Sequence, residues 1–133
     1  MKRAMAVNRL ITQYDVHDFT GVALDAFVRD GLTLLFFTGD PIRYPEIDDV
    51  AVVLVELIKT FSGRFRCAII NPDHDGPAAA RFGVTIRPTL VFVYDGAVMS
   101  SLPRMRDWSE YVEKISVHPD LSKPFQVPAV RER

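Results

Sequence analysis

Asp40, Arg43, Glu46, Asp48 and Asp49 crowd the stretch TGDPIRYPEIDD, residues 38–49. It lies directly behind the apolar run Leu32-Thr33-Leu34-Leu35-Phe36-Phe37 and just ahead of a long apolar pattern from Val50 to Phe61. The stretch holds no cysteine, serine or histidine and no glycine-rich cradle, so it offers neither a nucleophile nor a phosphate site. What it offers is negative charge. Carboxylates near a helix N-terminus are favourable, so the plainest reading of Asp40, Glu46, Asp48 and Asp49 is a solvated loop that caps the following helix. Pro41 and Pro45 stiffen that loop, and Arg43 is placed to pair internally with Glu46 or Asp49.

Two other places invite a chemical reading. Cys67 is the single cysteine, which excludes an intrachain disulfide and any Cys-x-x-Cys site. It sits mid-run in Phe65-Arg66-Cys67-Ala68-Ile69-Ile70 and reads as a small buried hydrophobe. Asp73-His74-Asp75 resembles a metal cluster only superficially. Three adjacent side chains do not converge on one ion unaided, and His17 and His118 show no metal-ligand spacing. A solvated turn, 71–76, is the better reading, and no metal or cofactor is expected.

The elements that must position these residues alternate in type. Arg9 to Tyr14 reads as a short first strand. Asp18 or Thr20 is placed to cap a helix containing Val22, Phe27 and Val28, which Gly31 ends. Leu32 to Phe37, almost continuously apolar, reads as a strand buried on both faces. Val50, Val53, Leu54, Leu57, Ile58 and Phe61 recur at helical spacing, with Gly63 as the stop. Phe65 to Ile70 is another buried strand. Asp75 or Gly76-Pro77 opens a short helix, Ala78 to Phe82, closed by Gly83. Thr89 to Tyr94, the Asp95-Gly96 turn and Ala97 to Leu102 form a hairpin. Asp107 or Ser109 starts a last helix with Trp108, Tyr111, Val112 and Ile115, in which Trp108 is expected to be a core or half-buried anchor. Pro119, Pro124 and Pro128 interrupt every later pattern, so residues 1–117 are expected to form one domain and 118–133 a loose tail.

A chain of 133 residues, 48% apolar, fits one domain with a real core. A formal net charge of −1 argues against a general nucleic-acid or membrane-surface binder. No apolar run approaches the roughly 20 residues of a membrane helix. The N-terminus, with Lys2 and Arg3 but no long apolar region behind them, is a poor signal peptide. A cytoplasmic location is the simplest expectation. The element order suggests an α/β fold with a central mixed sheet of four or five strands flanked by helices.

The segment RFGVTIRPTLVFVYDGAVMSSLPRMRDWSEYVEKI, from Arg81, resembles the C-terminal half of a thioredoxin, and GRFRCAIINPDHD resembles the strand and loop before it. The likeness runs over residues 9–117 and implies a cis peptide at Arg87–Pro88. It also marks what is missing. The thioredoxin cysteine pair would fall between Asp40 and Ile47, its buried aspartate at Leu35 and the lysine partner at Ile69. Disulfide exchange needs an activated thiolate and a resolving partner, and neither is there.

A narrower resemblance covers residues 34–57. The pattern Leu-Leu-x-x-x-Gly-Asp-Pro-x-Arg-x-Pro-Glu-x-x-Asp-Val-Ala-Val-x-Leu-x-Glu-Leu is similar to the cysteine-free, thioredoxin-like hydrogenase expression proteins of the HyaE/HupG type. Arg81-Phe82-Gly83-Val84, Pro88 to Phe92 and Asp107-Trp108 follow in the same order. The resemblance implies a non-catalytic chaperone for the small subunit precursor of a membrane-bound [NiFe] hydrogenase, one that binds its twin-arginine signal peptide, with other hydrogenase accessory proteins as further partners. No nucleic acid and no membrane insertion are expected. Asp40, Pro41, Arg43, Glu46, Asp48, Asp49, Arg87 and Pro88 then become a docking surface, since carboxylates bind guanidinium groups by charge-assisted bonds. Arg87 is expected to be exposed beside the proline or to grip a partner's carboxylate. The alternatives are a one-cysteine peroxidase or reductase acting through Cys67, and a constitutive thioredoxin-like subunit of a larger assembly.

Overall fold

The computed structural model describes residues 5–14, 16–19, 24–40, 42–61, 64–70, 72 and 75–117. Five strands form one mixed sheet in the order β1-β3-β2-β4-β5, with β1 at His17–Phe19, β2 at Leu32–Phe37, β3 at Arg66–Ile70, β4 at Thr89–Tyr94 and β5 at Ala97–Pro103. β1 and β2 each run parallel to β3; β4 is antiparallel to both β2 and β5. The helices are α1 (Met5–Gln13), α2 (Leu24–Phe27), α3 (Ile47–Thr60), α4 (Gly76–Phe82) and α5 (Trp108–Ser116).

Two cores follow from the alternation along the strands. Leu34 and Phe36 point to the layer containing α1, α3 and α5, where Leu54, Leu57 and Tyr111 are buried. Leu35 and Phe37 point to the opposite layer, with Leu24 of α2 and Ala78, Ala79 and Phe82 of α4. β2 is buried along its whole length, as a central strand covered on both faces must be.

The first element differs from the expectation. Arg9 to Tyr14 lies within and just after a helix, not a strand. Val7, Leu10, Ile11 and Tyr14 recur at spacings of three and four, which is one helical face, and all four meet the core. A reading begun at Arg9 leaves out Val7 and loses the period. The true first strand, β1, has exposed His17 and Asp18 and no apolar alternation; its parallel pairing with Ala68 to Ile70 makes it a strand. Asp18 lies in β1, and Thr20, Val22 and Gly63 lie outside the described residues, as does the expected tail from 118 onward.

The later boundaries fall close to expectation. α3 begins earlier, at Ile47, because Ile47 itself is fully buried. α4 opens at Gly76 with Pro77 in its first turn and closes on Gly83, whose φ of 71° is left-handed. The Asp95-Gly96 turn has φ of 49° and 83°, and the Asp95 carboxylate accepts the Gly31 N–H at 2.7 Å, tying the hairpin tip to the start of β2. Arg87–Pro88 is cis. No helix among the described residues is long and apolar enough to cross a membrane.

Candidate functional site

β2 ends at Phe37, and the chain turns through Thr38, Gly39 and Asp40 before entering α3. The turn is tightly tied. Asp40 Oδ1 accepts the Ile42 N–H at 3.0 Å, while its backbone carbonyl accepts the N–H groups of Arg43 and Tyr44 at 3.1 and 2.9 Å. Asp40 thus acts as a turn-former, the side chain standing in for a backbone acceptor.

Glu46 is the N-cap residue of α3, yet its carboxylate makes no capping bond. It reaches across to Arg104 Nη1 at 2.9 Å instead. The expected pairing of Arg43 with Glu46 or Asp49 is not formed. Arg43 lies exposed, its guanidinium 5.8 Å from the Tyr44 ring centre. Asp48 and Asp49 stand exposed on the first turn of α3, where the helix dipole favours them. Pro41 lies outside the described residues.

The cis-proline turn lies against this loop. Gly39 has φ of 77°, and a Cβ built there would come within 2.8 Å of Arg87 Cβ and 2.9 Å of the Tyr44 ring. Only a glycine lets the two segments touch so closely. Pro88 is buried, and its carbonyl accepts the Arg104 N–H at 2.7 Å. Arg104, with a left-handed φ of 61°, therefore links three segments: the cis-proline turn through its backbone, the acidic loop through Glu46, and α5 through its carbonyl, to which Tyr111 Oη donates at 3.4 Å.

Arg87 departs from the exposed position expected for it. Its side chain is only 17% exposed, its Nε donates to Asp75 Oδ2 at 2.9 Å, and its guanidinium carbon lies 5.9 Å from the Phe37 ring centre. Asp75, at 15% exposure, is equally covered. The pair fastens the cis-proline turn to the N-terminus of α4. Among the described residues, none hydrogen-bonds to the backbone N–H or carbonyl of Arg87. Trp108 does not take the core position open to it in the expectation: it is 43% exposed at the start of α5, where Tyr111 and Ile115 are the buried residues.

Sequence reasoning misses the parts that Gly39, Tyr44, Asp75 and Arg104 play here. Gly39 carries the one legible signal, a glycine immediately before a turn-forming aspartate. Asp75 and Arg104 act through partners far away in sequence.

Cys67 faces the α1/α3/α5 core, 7% exposed, and burial pushes its thiol well above the ordinary range. A thiol that resists ionisation is a poor nucleophile. Labelling of the native protein with a thiol reagent is expected to be slow and to become fast in denaturant, and Cys67→Ala is expected to cost about 1 kcal/mol of stability. Fast labelling under native conditions would show an accessible thiol. Leu35 and Ile69, matched above to the thioredoxin proton-handling pair, are fully buried but face opposite cores; the register neighbour of Leu35 is Ala68. The correction leaves the chemistry unchanged, since no residue of the three titrates. Asp73 and His74 lie outside the described residues, and no cluster of metal-ligating side chains occurs among those described.

The fold resembles that of a mutant thioredoxin from Halobacterium salinarum NRC-1, with a TM-score of 0.67 at 20% identity over 83% of this chain and 93% of that one. A crystal structure under the name hydrogenase expression/formation protein hupG, from Rhodopseudomonas palustris CGA009, matches with a TM-score of 0.54 at 34% identity over 76% of this chain and 92% of that one. Among curated proteins, the hydrogenase expression/formation protein HupG of Rhizobium leguminosarum bv. viciae is 49% identical over 98 residues, which are 70% of this chain and 66%, just under two thirds, of that protein. The hydrogenase expression/formation protein HoxO of Cupriavidus necator is 40% identical over 112 residues, 82% of this chain and 70% of that protein. The family model described as Hydrogenase-1 expression protein HyaE matches residues 6–111, a span that takes in the acidic loop, the buried Cys67, the Arg87–Pro88 turn and Arg104. The chain belongs to the HyaE family of hydrogenase expression proteins.

Proposed function

We propose that the protein is a non-catalytic accessory chaperone in hydrogenase maturation, and that the joined acidic loop and cis-proline turn bind the arginine-containing export signal of a hydrogenase small subunit precursor in the cytoplasm. The observation that supports this reading is the close approach of Gly39 to Arg87, together with the Glu46–Arg104–Pro88 links, which brings the loop leading into α3 against a turn whose Arg87 backbone groups have no partner among the described residues. An extended peptide pairs with free backbone groups, and nearby carboxylates select its positive charge. The burial of Cys67 favours recognition over thiol chemistry.

Exposed charge pairs contribute only about 0–1 kcal/mol each. A single neutralisation among the four acids is therefore expected to weaken binding slightly. The combined change Asp40→Asn, Glu46→Gln, Asp48→Asn and Asp49→Asn is expected to weaken it clearly and to flatten its salt dependence. The asparagine and glutamine replacements keep the Oδ1 acceptor for Ile42 and an oxygen for Arg104. Calorimetric titration of the signal peptide at low and moderate salt measures both effects. A folded quadruple variant that binds like the wild type at both salts would refute the role of the loop.

A further inference from the structure

Four of the exposed large apolar side chains belong to the segments that meet at this same end of the sheet. Ile42, in the acidic loop, is 92% exposed. Ile86 precedes the cis-proline turn, Met105 follows Arg104, and Trp108 opens α5; all three are exposed. These segments are bonded to one another. Arg104 joins the cis-proline turn and Glu46, and the Tyr111 hydroxyl accepts the Arg106 N–H at 3.0 Å and donates to the Arg104 carbonyl, holding Met105 between two anchored residues. Ile42 is likewise held out by the bond from its N–H to Asp40 Oδ1, and the Ile86 carbonyl is fastened by the Thr89 hydroxyl at 2.6 Å. Apolar side chains displayed on tied backbone lose little freedom when a partner covers them. Large exposed apolar side chains on segments tied to one another in this way mark a candidate interaction site.

The neighbouring charge says what covers them. Residues 40–49 carry four carboxylates against one guanidinium, Arg43. Of these, Glu46 is taken up by Arg104, as Glu110 is by Arg106, so the balance around Arg43 is three carboxylates, Asp40, Asp48 and Asp49. The surface therefore combines carboxylates with exposed apolar side chains. An export signal offers both complements, a positively charged stretch and about 7–15 apolar residues.

We infer that the site has two parts, and that Ile42, Ile86, Met105 and Trp108 bind the apolar stretch of the export signal while the carboxylates bind its arginines. This rests on the signal-peptide reading above and adds to it which segment is held and by what. The single tryptophan is a built-in reporter, because covering Trp108 with apolar side chains shifts its emission to shorter wavelength.

The test uses two synthetic peptides, the arginine-containing stretch alone and the same stretch continued through the apolar segment, titrated into the full chain by calorimetry and tryptophan emission. The longer peptide is expected to bind about tenfold or more tightly than the shorter and to shift the Trp108 emission, which the shorter does not. Ile42→Ser with Met105→Ser is expected to remove that advantage, so that the two peptides bind this variant equally. The acidic-loop variant is expected to weaken both. Equal affinity of the two peptides for the wild type, or an Ile42→Ser/Met105→Ser protein that folds and keeps the advantage, would overturn the two-part site while leaving the arginine reading standing. An emission shift with protein concentration alone would assign the patch to a second copy and also overturn it. Failure of both peptides to bind would overturn the signal-peptide reading itself.

Discussion

Replacing Gly39 by alanine is expected to destabilise the protein by about 2–4 kcal/mol and to abolish or strongly weaken peptide binding. Two costs add. At φ of 77° a Cβ approaches the following carbonyl, a strain of about 1–2 kcal/mol for an L-residue. The added carbon also lands 2.8 Å from Arg87 Cβ and 2.9 Å from the Tyr44 ring. The first of these is attached directly to backbone, so relief requires the acidic loop and the cis-proline turn to separate. In a chain of this size the loss corresponds to a fall in Tm of roughly 10 °C. The same separation pulls the carboxylates away from the Arg87 backbone, so affinity falls by more than stability alone explains. Gly31→Ala is a suitable comparison, since Gly31 has a similar φ of 72° but open space around a Cβ. It is expected to cost the backbone strain only and to leave binding intact. Thermal unfolding and calorimetry on both variants measure the difference. Equal effects on binding would mean that the close approach at Gly39 does not build the site.

Asp75→Ala is expected to cost about 2–3 kcal/mol, the second largest effect. The Asp75–Arg87 pair is mostly buried, and a guanidinium left there without its carboxylate keeps its desolvation cost and loses its compensation. Asp75→Asn, which preserves an oxygen for Arg87 Nε, is expected to cost less. Arg87→Met, which fills the space over Phe37 with an apolar chain, is expected to be milder than Asp75→Ala. The double variant Asp75→Ala/Arg87→Met is expected to be more stable than the sum of the singles predicts, with a coupling of about 1–3 kcal/mol. Chemical denaturation of the four proteins closes the cycle. Additive single effects would show that the two side chains merely lie near each other.

Much of the fold was legible because its central elements carry local signals. Leu32 to Phe37 and Thr89 to Tyr94 are almost continuously apolar runs bounded by turn residues, and their boundaries match the observed strands. Asp95-Gly96 announces its turn by the two residue types that tolerate a positive φ. Pro77 and Gly83 bracket α4 for equally local reasons. β1 escaped because its three residues carry no pattern of their own, and α1 because its period shows only when Val7 is counted with Leu10.

The candidate site divides along the same line. Sequence alone determined that no dithiol chemistry is possible within the chain, that the turn after β2 is rich in carboxylates, and that Cys67 lies in an apolar strand. Each follows from residue identity or from a period of two or three to four residues. Only the tertiary structure decided what the charged groups do. Glu46 turned from a helix cap into the partner of Arg104, Arg87 from an exposed cation into half of a covered ion pair with Asp75, and Trp108, expected as a core or half-buried anchor, into a side chain 43% exposed. The physical reason is reach. Periodicity and turn propensity are properties of adjacent residues. The partner of a long charged side chain, or the face of α5 that the sheet leaves uncovered, depends on segments up to 58 residues apart meeting at one end of a folded sheet.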